Sequence, residues 1–261
     1  MRYKAVFLDI DGTILMPDHT YSSSTVEAIK QLQAQNIHTF IATGRPLHEI
    51  KGLTEELNIT NLIGYNGAYG IVQGKEIVNE PFAPEIVERF RKTAEEKKNE
   101  MVLYANGENY FTAIDDPFAQ GFIKTFEMKI NVELVAPKYD NILGMTLIKL
   151  KESEVDTYQS DKNIHLSQVN VPGMQHAYDV IRTNVNKGKA IKQVLDHLGI
   201  DKEETIAFGD GMNDKEMFST VGTSFAMGNA DPELFQYATH RTTTVSDSGI
   251  FNGLKQLDLV G

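Results

Sequence analysis

The chain has 261 residues, 41% hydrophobic and 23% charged, so a sizeable core is expected and wholesale disorder is excluded. Its 25 basic against 36 acidic residues give a net charge of -11, which argues against a nucleic-acid partner held by a basic face. Cysteine is absent, which removes disulfides, thiolate metal sites and cysteine nucleophiles, and no run nears the ~20 apolar residues of a membrane helix.

Met1-Arg2-Tyr3-Lys4 runs straight into an apolar segment without a signal-peptide pattern, so a cytoplasmic location is expected. Residues 3–11 are apolar without alternation, which predicts a strand buried on both faces. Ser24-Thr25-Val26-Glu27 has capping-box spacing, and Val26, Ile29 and Leu32 repeat at helical period. A second strand is predicted at 38–42, then a helix with Pro46 in its first turn and Ile50, Leu53 and Leu57 along it, then a third strand at 61–65. Strand and helix alternate, which predicts βαβ units and a parallel sheet.

The middle changes character. Residues 68–72 and 76–78 flank Gln73-Gly74-Lys75 as a hairpin. A helix at 84–97 precedes apolar runs at 101–105 and 110–114 around Asn106-Gly107, a strong hairpin signal. Further strands are expected at 145–150, 164–169 and 178–181. This mixture predicts an α+β insert at about 82–184. Phe118, Phe122 and Phe126 are spaced as a helical packing stripe. The alternating pattern then returns: a helix at 189–198 stopped by Gly199, a strand at 205–208, a short helix at 214–221, a strand at 223–227, and a helix capped by Asp231 before Pro232. No internal repeat or low-complexity tract interrupts it.

Three predicted strands end in polar residues: Asp9, Thr43 and Asp210. If the strands are parallel, these ends share the edge where open α/β sheets bind ligands. Asp11 follows Asp9 by two residues, Gly12 permits the turn between strand and helix, and Asp214 follows Asp210. An acidic pair alone is as readily a solvated turn or helix cap. Crowded carboxylates at one sheet edge instead raise one another's pKa and call for a cation, and oxygen ligands without His or Cys favour Mg²⁺ over zinc. The seven histidines show no ligand spacing.

Asp9-Ile10-Asp11-Gly12-Thr13, Ala42-Thr43-Gly44-Arg45, Asn186-Lys187-Gly188-Lys189 and Gly209-Asp210-Gly211-Met212-Asn213-Asp214 occur in that order. Together they resemble the signatures of the haloacid dehalogenase superfamily, in particular its Cof-type phosphatases with a large cap. Asn66-Gly67-Ala68 and Ala226-Met227-Gly228-Asn229-Ala230 also look like that subgroup. The resemblance implies a doubly wound, Rossmann-like α/β core at 1–81 and 185–261, with an α+β cap inserted at 82–184 that closes over the site and sets specificity. It implies a Mg²⁺-dependent phosphatase of small phosphorylated metabolites: sugar phosphates, nucleotides or phosphorylated cofactors. Asp9 would be the nucleophile and Asp11 the general acid and base. The metal would be held by the Asp9 carboxylate, the Asp11 carbonyl and the Asp210 carboxylate, with Asp214 in support. Thr43, Lys187, Asn213 and the Ile10 and Gly44 amides would hold the phosphate.

Arg45 stays open between a substrate contact and an ion pair with an acidic neighbour, and Asn66 between a substrate contact and a turn residue. Lys187 sits at a helix start, where a cation gains nothing from the helix dipole. Asp179 stands where the family commonly has Glu, and Lys215 where an apolar residue is commoner; both bear on substrate recognition. Two other functions fit the same motifs: a noncatalytic sensor of a phosphorylated metabolite, and a phosphomutase. Asp11 favours turnover, because pure binding needs no general acid. Oligomeric state is not legible.

Overall fold

The computed structural model describes residues 2–135, 139–159 and 161–261. They form two compact units, the first from the residues up to Arg45, Lys51–Asn79 and Val185–Gly261, the second from Pro46–Ile50 and Glu80–Asn184.

The first unit begins with β1 (Ala5–Leu8), α1 (Ser23–Ala34), β2 (His38–Ala42), α2 (Lys51–Glu56) and β3 (Asn61–Gly64). The hairpin of β4 (Tyr69–Val72) and β5 (Lys75–Asn79) follows. The chain then enters the second unit: α3 (Pro84–Lys97), β6 (Glu100–Tyr104), β7 (Asn109–Phe111), α4 (Pro117–Thr125), β8 (Asn131–Glu133), β9 (Gly144–Ile148), α5 (Val155–Tyr158), β10 (Ile164–Gln168) and β11 (Tyr178–Arg182). It returns to the first through α6 (Lys187–Leu198), β12 (Thr205–Gly209), α7 (Lys215–Thr220), β13 (Thr223–Ala226), β14 (His240–Arg241) and α8 (Gly249–Lys255).

The first unit's sheet has the order β14-β13-β12-β1-β2-β3-β4-β5, parallel from β14 to β3 and antiparallel through the hairpin. This is the α/β core with a parallel sheet that the alternating sequence predicts. Every residue of β1 is buried, because helices cover both faces of a parallel sheet and leave no polar side. Phe7 stacks on Phe40 at 4.7 Å across β1 and β2, and Phe208 on Phe225 at 4.8 Å across β12 and β13. Leu8 is level with Ile41 and with Phe208, so the chains leaving β1, β2 and β12 emerge along one edge.

The second unit's sheet has the order β10-β11-β9-β6-β7-β8, antiparallel except for the β7–β8 pair. One face carries Met101, Leu103, Met145, Leu147 and Val180 into a core with Val87, Phe90 and Ala94 of α3. On the other face Val102, Phe111 and Ile148 pack with Ala119 and Phe122 of α4.

Local details correct the sequence expectations. The cap of α1 is Ser22, whose hydroxyl accepts from the Thr25 amide, two residues before the expected box. Asp231 accepts from the Glu233 amide as a cap should, but a single 3-10 turn at Leu234–Gln236 follows instead of an α-helix. Of the phenylalanine stripe only Phe122 is buried: α4 is short, Phe126 is its C-cap residue, and Phe118 meets His176 edge-on. The strands β8 and β14 and the helices α5 and α8, all short, carry no periodic signal that the sequence alone makes visible.

Candidate active site

Asp9 is the first residue beyond β1, and its amide still donates to the Phe208 carbonyl, which fixes it at the sheet edge. The Ile10 carbonyl accepts from the amides of Thr13, Ile14 and Leu15, turning the chain sharply away. Gly12 sits in this turn at φ 76, and a Cβ there would stand 2.1 Å from an Asp210 carboxylate oxygen. Glycine is therefore required twice over, for the backbone and for the approach of Asp210. Thr13 donates its hydroxyl to the other Asp210 oxygen at 3.0 Å.

Lys187 opens α6 behind the Asn186 cap, whose side chain accepts from the Lys189 amide at 2.9 Å. The Lys187 side chain is wholly buried, with Nζ 2.7 Å from Asp9 Oδ1 and 2.7 Å from Asp214 Oδ1. Asp214 is also wholly buried, and its Oδ2 accepts from the Asp210 and Gly211 amides at 3.0 and 3.1 Å. Both Asp214 oxygens are thus committed, one to the lysine and one to the loop that carries Asp210.

One oxygen from each of Asp9, Asp210 and Asp214 lies within 4.8 Å of the others, with Lys187 the one cation paired to them among the described residues. Burial first, and then the Asp214 charge, push the Asp210 carboxyl up to about 7. Burial likewise raises Asp9, against the pull of Lys187. Burial alone would lower the Lys187 ammonium, but Asp214 and Asp9 outweigh it and hold the lysine protonated. Three carboxylates around one ammonium, with two displaced toward neutrality, form an all-oxygen donor set short of positive charge, and this fits a hard divalent cation such as Mg²⁺.

The other candidate residues divide. Thr43 is buried at the end of β2; its hydroxyl accepts from the Arg45 amide at 3.1 Å, so its own hydrogen is the donor it has left. Gly44 lies against the Asn66 amide, and Asn66, in a left-handed turn at φ 53, accepts from Asn213 Nδ2 at 3.0 Å. Asn66 thereby joins the loop after β3 to the loop after β12, more than a turn residue needs. Arg45 grips the Asp11 carboxylate with both ends of its guanidinium, at 2.8 and 2.5 Å, on a more exposed part of the site. The Asp11 side chain is therefore outside the carboxylate group around Lys187. Two residues given no role from sequence also brace the site. Thr13 orients Asp210, and Asn229 donates to the Gly12 carbonyl at 2.9 Å while accepting from the Val245 amide. Their signal was position inside recognised segments; their partners lie up to 217 residues away.

A family model described as haloacid dehalogenase-like hydrolase matches residues 6–254. The protein YkrA of Bacillus subtilis (strain 168) is 33% identical over 266 residues, covering 100% of both chains. The HMP-PP phosphatase of Klebsiella pneumoniae (strain 342) is 30% identical over 238 residues, covering 88% of this chain and 86% of its own. A hypothetical protein of Geobacillus kaustophilus HTA426, known from its crystal structure, superposes with a TM-score of 0.91 at 29% identity, covering 99% of this chain and 100% of the other.

Proposed function

The chain belongs to the haloacid dehalogenase-like hydrolases, and from that premise we propose that it is a Mg²⁺-dependent phosphatase of small phosphorylated metabolites, working through a phosphorylated Asp9. The observation that carries this reading is the buried Lys187 pinned between Asp9 and Asp214. It fixes one Asp9 oxygen, Oδ1, and so aims the other as a nucleophile. An isolated binding pocket has no need to orient a carboxylate in this way.

In the proposed reaction the free Asp9 oxygen attacks phosphorus as the ester P–O bond breaks. The departing oxygen takes a proton from the Asp11 carboxyl. Water then attacks the phosphorus of the phosphorylated Asp9, Asp11 as carboxylate takes the water's proton, and phosphate leaves with Asp9 restored. The sum is ester plus water giving alcohol plus phosphate. Arg45 holds the Asp11 side chain here, so in the first half Asp11 must carry a proton and stand away from the guanidinium. Thr43, Asn213, Lys187 and the Ile10 and Gly44 amides are our candidates for the donors around the phosphoryl oxygens. Mg²⁺, held by Asp9, Asp210 and the Asp11 carbonyl, would supply positive charge to those oxygens. Asp214 serves this group by holding Lys187 and the Asp210 loop.

We assign leaving-group selection to the second unit, which has its own sheet and cores, and a cytoplasmic location to the protein. Among the described residues no helix is long and apolar enough to cross a membrane.

The test is phosphate release from a panel of phosphorylated metabolites, in Mg²⁺ and in chelator. We expect release from some members, abolished by the chelator and restored by Mg²⁺. Tight binding without any release would mean a sensor, and transfer to a second hydroxyl of the substrate would mean a mutase. Release undiminished by chelator would remove the metal.

A further inference from the structure

Between β3 and β4 the chain turns through Tyr65, Asn66 and Gly67, at φ 53, 53 and 95. Three consecutive residues in the left-handed region are uncommon, and a buried tyrosine there is an outlier that its surroundings must hold in place. Those surroundings are other loops at the edge of the first unit's sheet. The Tyr65 amide donates to the Arg45 carbonyl at 3.2 Å, and the Asn66 amide to the Thr43 carbonyl at 3.0 Å. A Cβ on Gly67 would stand 2.3 Å from the Asn186 carbonyl oxygen and 2.9 Å from the Lys187 nitrogen, so the turn lies hard against the start of α6. The Asn66 side chain then reaches Asn213. One turn thus touches the segments that carry Thr43, Lys187 and Asn213.

The turn settles what two of those segments can donate. In a trans peptide the carbonyl and the next residue's amide point in opposite directions. Holding the Thr43 carbonyl toward Asn66 therefore turns the Gly44 N–H away from the turn, and that N–H has no acceptor among the described residues. Asn213 is exposed, and its side chain has a donor end and an acceptor end; an anionic phosphoryl group needs the donor end. Asn66 Oδ1 takes one of the two hydrogens on Asn213 Nδ2 at 3.0 Å, which fixes the rotation of that amide and leaves the second hydrogen to give. The turn alone does not require this bond: glycine adopts a positive φ without strain and has no side chain.

We propose that Asn66 is a positioning residue for phosphoryl transfer: its side chain holds Asn213 with an N–H free for the phosphoryl oxygens, and its main-chain amide aims the Gly44 N–H. This rests on the phosphatase reading above. Asn66 acts through these two donors and not on the substrate itself. Donors fixed beforehand stabilise charge that develops on the phosphoryl oxygens without reorganising, so loosening Asn213 lowers kcat more than it changes KM.

The test is a double-mutant cycle on phosphate release from para-nitrophenyl phosphate in Mg²⁺, with Asn66→Gly, Asn213→Ala and the two together, each beside a thermal melt. Glycine keeps the left-handed turn and the main-chain bond to Thr43, so Asn66→Gly should melt close to the parent and lose only the hold on Asn213. It should lower kcat by about tenfold or more and move KM by less than about threefold, and Asn213→Ala should lower kcat by about 10²-fold. The double variant should fall no further than Asn213→Ala, because Asn66 then has nothing to hold. A parent-like kcat in Asn66→Gly would make Asn66 a turn residue, and losses that multiply in the double variant would mean that it meets the substrate directly; either overturns this inference alone. If Asn66→Gly does not fold, Asn66→Ser, whose shorter side chain withdraws the acceptor, is read in the same cycle. Failure of both to fold would make Asn66 a structural residue and overturn the inference. No release by the parent overturns the phosphatase reading and this inference with it.

Discussion

In the first unit β1, β2 and β12 are parallel and stop at Leu8, Ala42 and Gly209, so Asp9, Thr43 and Asp210 come off the strand ends with their loops. In the second unit β6, β9 and β11 are antiparallel neighbours, and Tyr104, Thr146 and Asp179 project from within the sheet onto one face. The first arrangement gathers charges and ties them with backbone amides and a buried lysine, so changing a carboxylate disturbs the chemistry and removing the lysine that ties them disturbs the fold as well. The second lays side chains on a finished sheet, so exchanging its members should disturb the scaffold less than losing Lys187 does. On the proposed function, chemistry belongs to the strand ends and choice to the second unit, and mutation should separate the two.

The largest contrast is Asp9→Asn against Asp179→Asn. The first should lower kcat on the order of 10⁴-fold or more while leaving the protein folded, as loss of a nucleophile does. The second should change which ester is preferred while leaving a working enzyme. Steady-state kinetics with a nitrophenyl ester reads both, and comparable losses would erase the distinction.

Next comes Lys187→Ala. It leaves Asp9 and Asp214 buried without their counter-charge and should cost about 3–5 kcal/mol in denaturant unfolding, with loss of activity. Thr146→Val breaks only a neutral hydroxyl's bonds and should cost about 1–3 kcal/mol. Equal costs would mean the lysine is not the keystone of the strand-end site.

A glycine pair refines the same comparison. Gly12→Ala meets both a positive φ and a carboxylate oxygen at 2.1 Å, and should lose about 1–3 kcal/mol together with Mg²⁺-dependent activity. Gly144→Ala meets the edge of the movable Tyr104 ring at 3.0 Å and should lose less than about 1.5 kcal/mol, with a shift in ester preference. Thermal melts beside kinetics decide it.

The smallest effect is in pH. Burial raises the folded Asp179 carboxyl above its ordinary 3.8, with the Thr146 bond opposing. A raised carboxyl takes up a proton on folding, so its contribution to stability is best below the unfolded value and declines as pH climbs through the folded one. Asp179→Asn should therefore match the parent most closely below pH 3.8 and gain on it toward neutrality. A variant less stable than the parent by the same amount at every pH would make Asp179 a structural acid.

The same contrast explains what was legible in the sequence. Asp9, Asp11, Thr43, Lys187 and Asp210 sit in contiguous signatures because each leaves a strand or opens a helix, where backbone geometry restricts the neighbours. The parallel sheet was legible because burial on both faces makes β1 and β12 apolar throughout. Tyr104 and Thr146 carry no motif and Asp179 shows only as a departure from the family's commoner Glu; register alone joins the three, and register depends on turns and strand order that spacing does not state. For Arg45 the sequence left an acidic partner and a substrate contact open, and the structure pairs it with Asp11; the bond of Asn66 to Asn213 was invisible, since it joins loops from different strands.

The most direct test is a pre-steady-state measurement on Asp11→Asn with para-nitrophenyl phosphate. This leaving group departs with little acid help, whereas the second half still needs Asp11 to take a proton from water. The account predicts a burst of nitrophenol close to one per active site, followed by slow phosphate release, and no burst once Asp9→Asn is added. Phosphate released in step with nitrophenol, or a burst that survives the loss of Asp9, would contradict it.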